Sequence, residues 1–254
     1  MEVHAHSHTA RKKFSHYLWE FIMLFLAVFC GFLAENIREH VVDKKKGKEY
    51  INMFIEDLKT DSIILQHTIP QMEQAVRGLD TLIAQTYAYI DGKADTRIMY
   101  YAYHHYCRNR FILVLSQRGL NQLKSSGNMR LIHDKSTAEI ILNAEVGFER
   151  LDEQTDFIHL RQEDPSSFGL KIFDFREYQL ANTNPDGSTN LEDDGFLRLD
   201  HQPKLNMTDP AYLKEFAARV GYYRNSFLTY ILFLKKATVQ IQQPYSYLKN
   251  KYVE

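Results

Sequence analysis

The apolar positions of this chain follow two different rules. From Phe21 to Ala34 fourteen consecutive residues are apolar, with no polar phase. Beyond Tyr50 apolar residues recur three and four apart, the period of a helix with one buried face. Ile51, Phe54, Ile55, Leu58, Leu65 and Ile69 form such a stripe up to Pro70, which predicts a new helix or a kink. Met72, Val76, Leu79, Ile83 and Ile90 carry the stripe on to a stop at Asp91-Gly92. The aromatic stretch Arg97–Gln122 predicts two shorter helices. Ser136 and Glu139 are spaced as a capping box, opening a helix whose face is Ile141, Ala144, Phe148, Leu151, Thr155 and Ile158 and which ends near Asp164-Pro165. Asp209-Pro210 is an N-cap followed by proline at the first helical position. Leu213, Phe216, Val220, Phe227, Ile231, Leu234 and Ile241 then mark one face until Pro244.

No such helix buries its stripe alone, so an all-α fold is expected, with the helices packed as an antiparallel bundle over 42–254. Residues 165–208 break the period. Leu170–Phe175 and Phe196–Leu199 suggest a small hairpin or irregular excursion around the turn at Asn184-Pro185-Asp186-Gly187. The charged Asp43–Glu49 stretch reads as helix or hinge.

The unphased run reads as a membrane-crossing helix over 14–41, after a flexible basic, His-containing tail at 1–13. Phe14–Ile37 extends for about 36 Å at ~1.5 Å per residue, enough for a hydrocarbon layer of ~30 Å. Tyr17 and Trp19 suit an interface, and Glu20, Glu35 and Arg38 can reach toward headgroups. The strongly apolar side chains of 21–33 together favour insertion by roughly 3–5 kcal/mol, more than one carboxyl near the boundary costs. A cleavable signal peptide also starts with cations and an apolar run, but Phe32–Asn36 lacks the paired small residues of a cleavage site, and Phe29 is too large before a lipoprotein Cys30. A buried core helix is the third reading, disfavoured by Arg11, Lys12 and Lys13 in front of the run. Lys and Arg are more numerous on the C-terminal side, yet the three N-side cations abut the run. The balance leans to a soluble part outside the cytoplasm of a single-pass inner-membrane protein.

Glu20, Leu24, Ala27, Gly31 and Ala34 fall along one stripe of that helix. Ala27 and Gly31 form a small-x-x-x-small pair that lets two backbones approach in lipid, and an intramembrane carboxyl tends to face other helices. A homo-oligomer, or a membrane-protein partner, is the implied occupant.

The net charge of −1 and a pI near 6.8 give no electrostatic case for nucleic acid. Two cysteines, Cys30 and Cys107, make no disulfide framework.

Three stretches resemble an uncharacterised family of bacterial single-pass membrane proteins with a helical soluble part. They are Glu20–Asn36, with its Glu, apolar run, Gly, Ala and Asn; Tyr50–Asp61; and Leu123–Ile132, where Ser125, Ser126, Gly127, Asn128, Arg130, Leu131 and Ile132 match the family-like segment. That family has no established activity, so the resemblance implies anchor and fold rather than chemistry.

Candidate chemistry is sparse, and no cofactor is expected. Asn182, Asn184, Asp186, Ser188, Asn190 and Asp193 have calcium-loop spacing around Gly187, but Asn stands first, Pro185 intervenes and Asp193 is short; a solvated turn explains them. His4, His6 and His8 lie in the tail. His104, His105 and Cys107 make an incomplete ligand set, better read as polar packing among aromatics. Ser125–Asn128 reads as a helix terminus with Gly127 left-handed. Glu56, Asp57, Asp61, Glu149, Asp152 and Glu153 are expected on solvated helix faces, and no catalytic constellation emerges. The function expected is that of a membrane-anchored interaction protein: a scaffold, accessory subunit or sensor partner. The alternative is a small-ligand or metal-binding sensor or enzyme built in the bundle.

Overall fold

The computed structural model describes residues 14–184, 186–190 and 194–253. It is all-α: α1 (Phe14–Ile90), α2 (Thr96–Ala102), α3 (Arg118–Lys124), α4 (Lys135–Gly169), α5 (Phe175–Ala181) and α6 (Pro210–Tyr252) are joined by a π-helical turn at Tyr103–Arg108 and 3-10 turns at Ser125–Leu131 and Gly195–Arg198.

α1 is one helix of 77 residues, so Pro70 starts no new element and Asp43–Glu49 is helix. Pro70 withholds an N–H from the carbonyl of Gln66. Both residues are exposed, so water replaces the lost bond. Burial along α1 begins only at Gly47. From there Phe54, Leu58, Leu65, Leu79 and Leu82 are wholly buried, each contributing about 1.5–3 kcal/mol.

α6 runs antiparallel to α1, as the ion pairs Asp80–Arg224 (2.8 Å) and Glu73–Lys235 (2.8 Å) show. α4 runs antiparallel to α6, with Thr137 beside Tyr252 and Thr155 beside Tyr230. The stripes expected on α4 and α6 are the buried ones, Thr155 meeting Tyr230 through its hydroxyl. Asp209 caps α6, its carboxylate accepting from the N–H groups of Ala211 and Tyr212. The capping box at Ser136 does not form. α4 starts two residues earlier, with Asp134 as its cap accepting from the Thr137 N–H, and Lys251 and Thr137 hold the Asp134 carboxyl down to about 2. α4 also passes Pro165 to end at Gly169, and α6 passes Pro244.

The return from the far end of α1 differs most from expectation. The two shorter helices expected within 97–122 are α2 and α3, but residues 109–117 between them form an extended strap that was not expected. The strap descends from the level of Met72 to that of Asp57 and Asp61, about 20 Å along α1. Seven residues cover that distance only at the ~3.3 Å rise of a strand. Its side chains alternate accordingly. Phe111, Leu113 and Leu115 pack on the core, while Ile112 and Val114 are 84% and 69% exposed.

Beyond α4, the described residues of 170–208 cover the distal end as an irregular excursion. Leu170–Phe175 does not make a hairpin strand, because Asp174 caps α5 through the Arg176 N–H. Among the described residues two isolated antiparallel bridges remain, Phe173 with Leu205 and Thr183 with Thr189. Tyr100 ties this cover to α2, donating to the Lys204 carbonyl (2.6 Å) and accepting from the Asp174 N–H (2.7 Å).

Candidate functional site

The first candidate is the bare part of α1. From Phe14 to Lys46 its side chains are exposed except the half-buried Ile22 and Asp43, and it contains the one span long and apolar enough to cross a membrane among the described residues. None of the best 18-residue window is covered by the rest of the chain, unlike the core helix of a soluble protein. Glu20, Leu24, Ala27, Gly31 and Ala34 share the expected stripe, and a Cβ at Gly31 would meet nothing within 4 Å. Beside it Phe21, Phe25 and Phe29 stack at 6.3 and 5.9 Å, and Arg38 pairs with Glu35 where the apolar run ends.

The second candidate was not legible as a site. Asp57 and Asp61, expected on a solvated face, are both fully buried; Glu56, Glu149, Asp152 and Glu153 are exposed as expected, Glu149 facing Lys124 and Asp152 accepting from Gln117. The strap and α3 cover the two aspartates. Asp57 Oδ1 accepts from Ser116 Oγ (2.6 Å) and from Arg118 Nε and Nη2 (3.0 and 2.9 Å), and Oδ2 accepts from the Gly119 N–H (2.7 Å). One carboxylate thus satisfies one free N-terminal N–H of α3, that of Gly119, from another helix. The glycine is required, since a Cβ at residue 119 would stand 2.4 Å from the Phe54 backbone nitrogen.

Asp61, one turn further, accepts only the Ser116 N–H (2.7 Å), and its Oδ2 has no partner among the described residues. Burial, and then the nearby Asp57 charge, push its pKa up to about 7, against the opposing pull of the Ser116 N–H and Arg118. Between its ordinary value of 3.8 and about 7 the folded state holds the extra proton, so stability falls as pH rises through that window. Asp61→Asn keeps the acceptor and mimics the protonated acid. Denaturant titrations should show the variant gaining about 2 kcal/mol over the parent at pH 8, with the gap closing by pH 5. A gap independent of pH would refute the assignment.

The family-like segment sits at the foot of the bundle. α3 ends at Lys124, Gly127 is left-handed (φ 73°) as expected, and Ser125 Oγ and Asn128 Nδ2 donate to the carbonyls of Asn121 and Gln122. Arg130 is exposed, while Leu131 and Ile132 are buried. Leu131 explains the buried Gly47, where a Cβ would approach its carbonyl oxygen to 2.8 Å.

The remaining candidates do not converge. Cys107 is fully buried in the π-helical turn, where burial raises its thiol, while His104 faces Tyr178 and Phe196 and His105 stacks on Tyr101. Among the described residues of 182–190 the polar side chains bond locally, to one another and to nearby backbone. Asp186 accepts from Ser188 N–H and Oγ, Asn184 donates to Ser188, and Asn190 donates to the Ala181 carbonyl. Pro185, Asp193 and the tail histidines His4, His6 and His8 lie outside the described residues. Among those described, no three metal-capable side chains cluster. Comparison with protein-family models, with curated proteins and with solved structures finds no match.

Proposed function

We propose that this chain is a single-pass membrane-anchored interaction protein that works by helix packing: α1 anchors it in the bacterial inner membrane, and the bundle is carried outside the cytoplasm. The bacterial single-pass family that its segments resemble is the natural place for it. The observation carrying this reading is that one helix is bare and apolar at one end and built into the core at the other. A surface of that size and character on a water-soluble protein demands a non-aqueous partner. Lipid supplies most of it. The Glu20–Ala34 stripe supplies close helix contact, first with a second copy of the chain.

Alkaline carbonate extraction tests the anchor: the full chain should stay with the membranes, and release into the supernatant refutes it. Gly31→Leu tests the stripe. Because nothing lies near Gly31 within the chain, leucine leaves the fold alone and obstructs only a neighbouring helix. Light scattering in mild detergent should show the variant with a lower mass than the parent. An unchanged mass would remove the stripe while leaving the anchor.

A further inference from the structure

A groove of about 680 Å³ opens where α1 leaves the bundle. α1 forms one wall from Val41 to Asn52, Leu131 to Asp134 the other, and Lys251 and Tyr252 at the end of α6 close it. Its lining combines two characters. Val41, Ile51, Leu131, Ile132 and Tyr252 supply apolar surface, and four lysines stand against two carboxylates. Lys251 pairs with Asp134 (2.6 Å) and Lys45 faces Glu49 (4.0 Å), whereas Lys44 and Lys48 have no carboxylate partner among the described residues. Two cations are therefore left over an apolar trough.

The groove's height matters as much as its charge. With Ile37 closing the apolar span, Val41 lies about 6 Å further along the helix and Lys44 about 10 Å. The flexible lysine stems let both ammonium groups reach back toward the headgroup layer. An apolar trough with a cationic edge at that level is complementary to an amphiphile whose phosphate is anionic.

We propose that this groove holds one anionic glycerophospholipid, its phosphate between Lys44 and Lys48 and its glycerol and upper acyl carbons running back past Val41 toward the apolar span. This rests on the anchoring reading above. A diffuse attraction of the whole basic collar is the competing account, and Lys46 separates the two: it is exposed and belongs to the collar, but does not line the groove.

The test uses the full chain in mild detergent, offered equal phosphatidylglycerol and phosphatidylcholine, with retained lipid counted by native mass spectrometry. Phosphatidylglycerol should be retained preferentially, Lys48→Gln should reduce that preference about fivefold, and Lys46→Gln should leave it nearly unchanged. No preference in the parent, or equal losses in the two variants, overturns the proposal. So does displacement of phosphatidylglycerol by millimolar inorganic phosphate, which would make the groove a free-anion site. Carbonate extraction in parallel keeps the failures distinct: intact membrane retention with no lipid preference removes the groove alone, and release removes both.

Discussion

Asp57→Ala should lower the stability of the bundle by about 3–5 kcal/mol, the cost of deleting one partner of a buried charged network. In a chain of this size that corresponds to a fall in Tm of roughly 6–20 °C. The reason is less the ion pair than the stranded donors. Arg118 is 69% exposed, so its pairing with Asp57 is screened by water and Arg118→Ala should cost less than about 1 kcal/mol. The Gly119 N–H is buried and donates to Asp57, so the truncation takes away its acceptor inside the protein. Thermal unfolding of both variants decides the matter. Equal effects would mean that the charge pair, not the capping of α3, holds the strap in place.

Phe25→Arg combined with Phe29→Arg should convert the protein from membrane-bound to extractable. Two arginines near the middle of the span cost about 5–7 kcal/mol on an insertion scale, more than the roughly 3–5 kcal/mol that favours insertion. The stacked pair lies well before the first buried residue, Gly47, so the circular dichroism and melting of the bundle should match those of the parent. Phe25→Leu with Phe29→Leu should remain membrane-bound. An arginine variant that resists carbonate would sink the idea that lipid is the partner of this segment.

The long elements were readable because single terms dominate them. The stripes of α4 and α6 recur at 3.6 residues and are the faces the core buries, and Asp209-Pro210 starts α6 where its chemistry requires. What escaped the sequence were decisions made by tertiary context. Pro70 breaks no helix because the carbonyl it leaves free faces water. Ser136 lost its capping role to Asp134, which α6 steadies through Lys251. Asp57 and Asp61 sit between apolar stripe positions, and spacing alone gave no hint that α3 would need a carboxylate there. The strap did leave a signal. Phe111 to Leu115 is a short continuous apolar run with β-branched Ile112 and Val114, consistent with extension, and its inward-facing Phe111, Leu113 and Leu115 are the ones that pack. Helical neighbours on both sides masked it. The candidate lipid groove was not legible at all, since it joins residues 41–52, 131–134 and 251–252.

The unbroken length of α1 has a mechanical consequence. Some 53 residues separate Ile37 from Ile90, about 80 Å of rod at ~1.5 Å per residue. A span longer than the local hydrocarbon thickness tilts to fit it. Through a lever that long, a change of about 5° moves the far tip sideways by about 7 Å. The distal cover built on Tyr100 would register bilayer thinning or thickening as a displacement larger than the width of a strand pair.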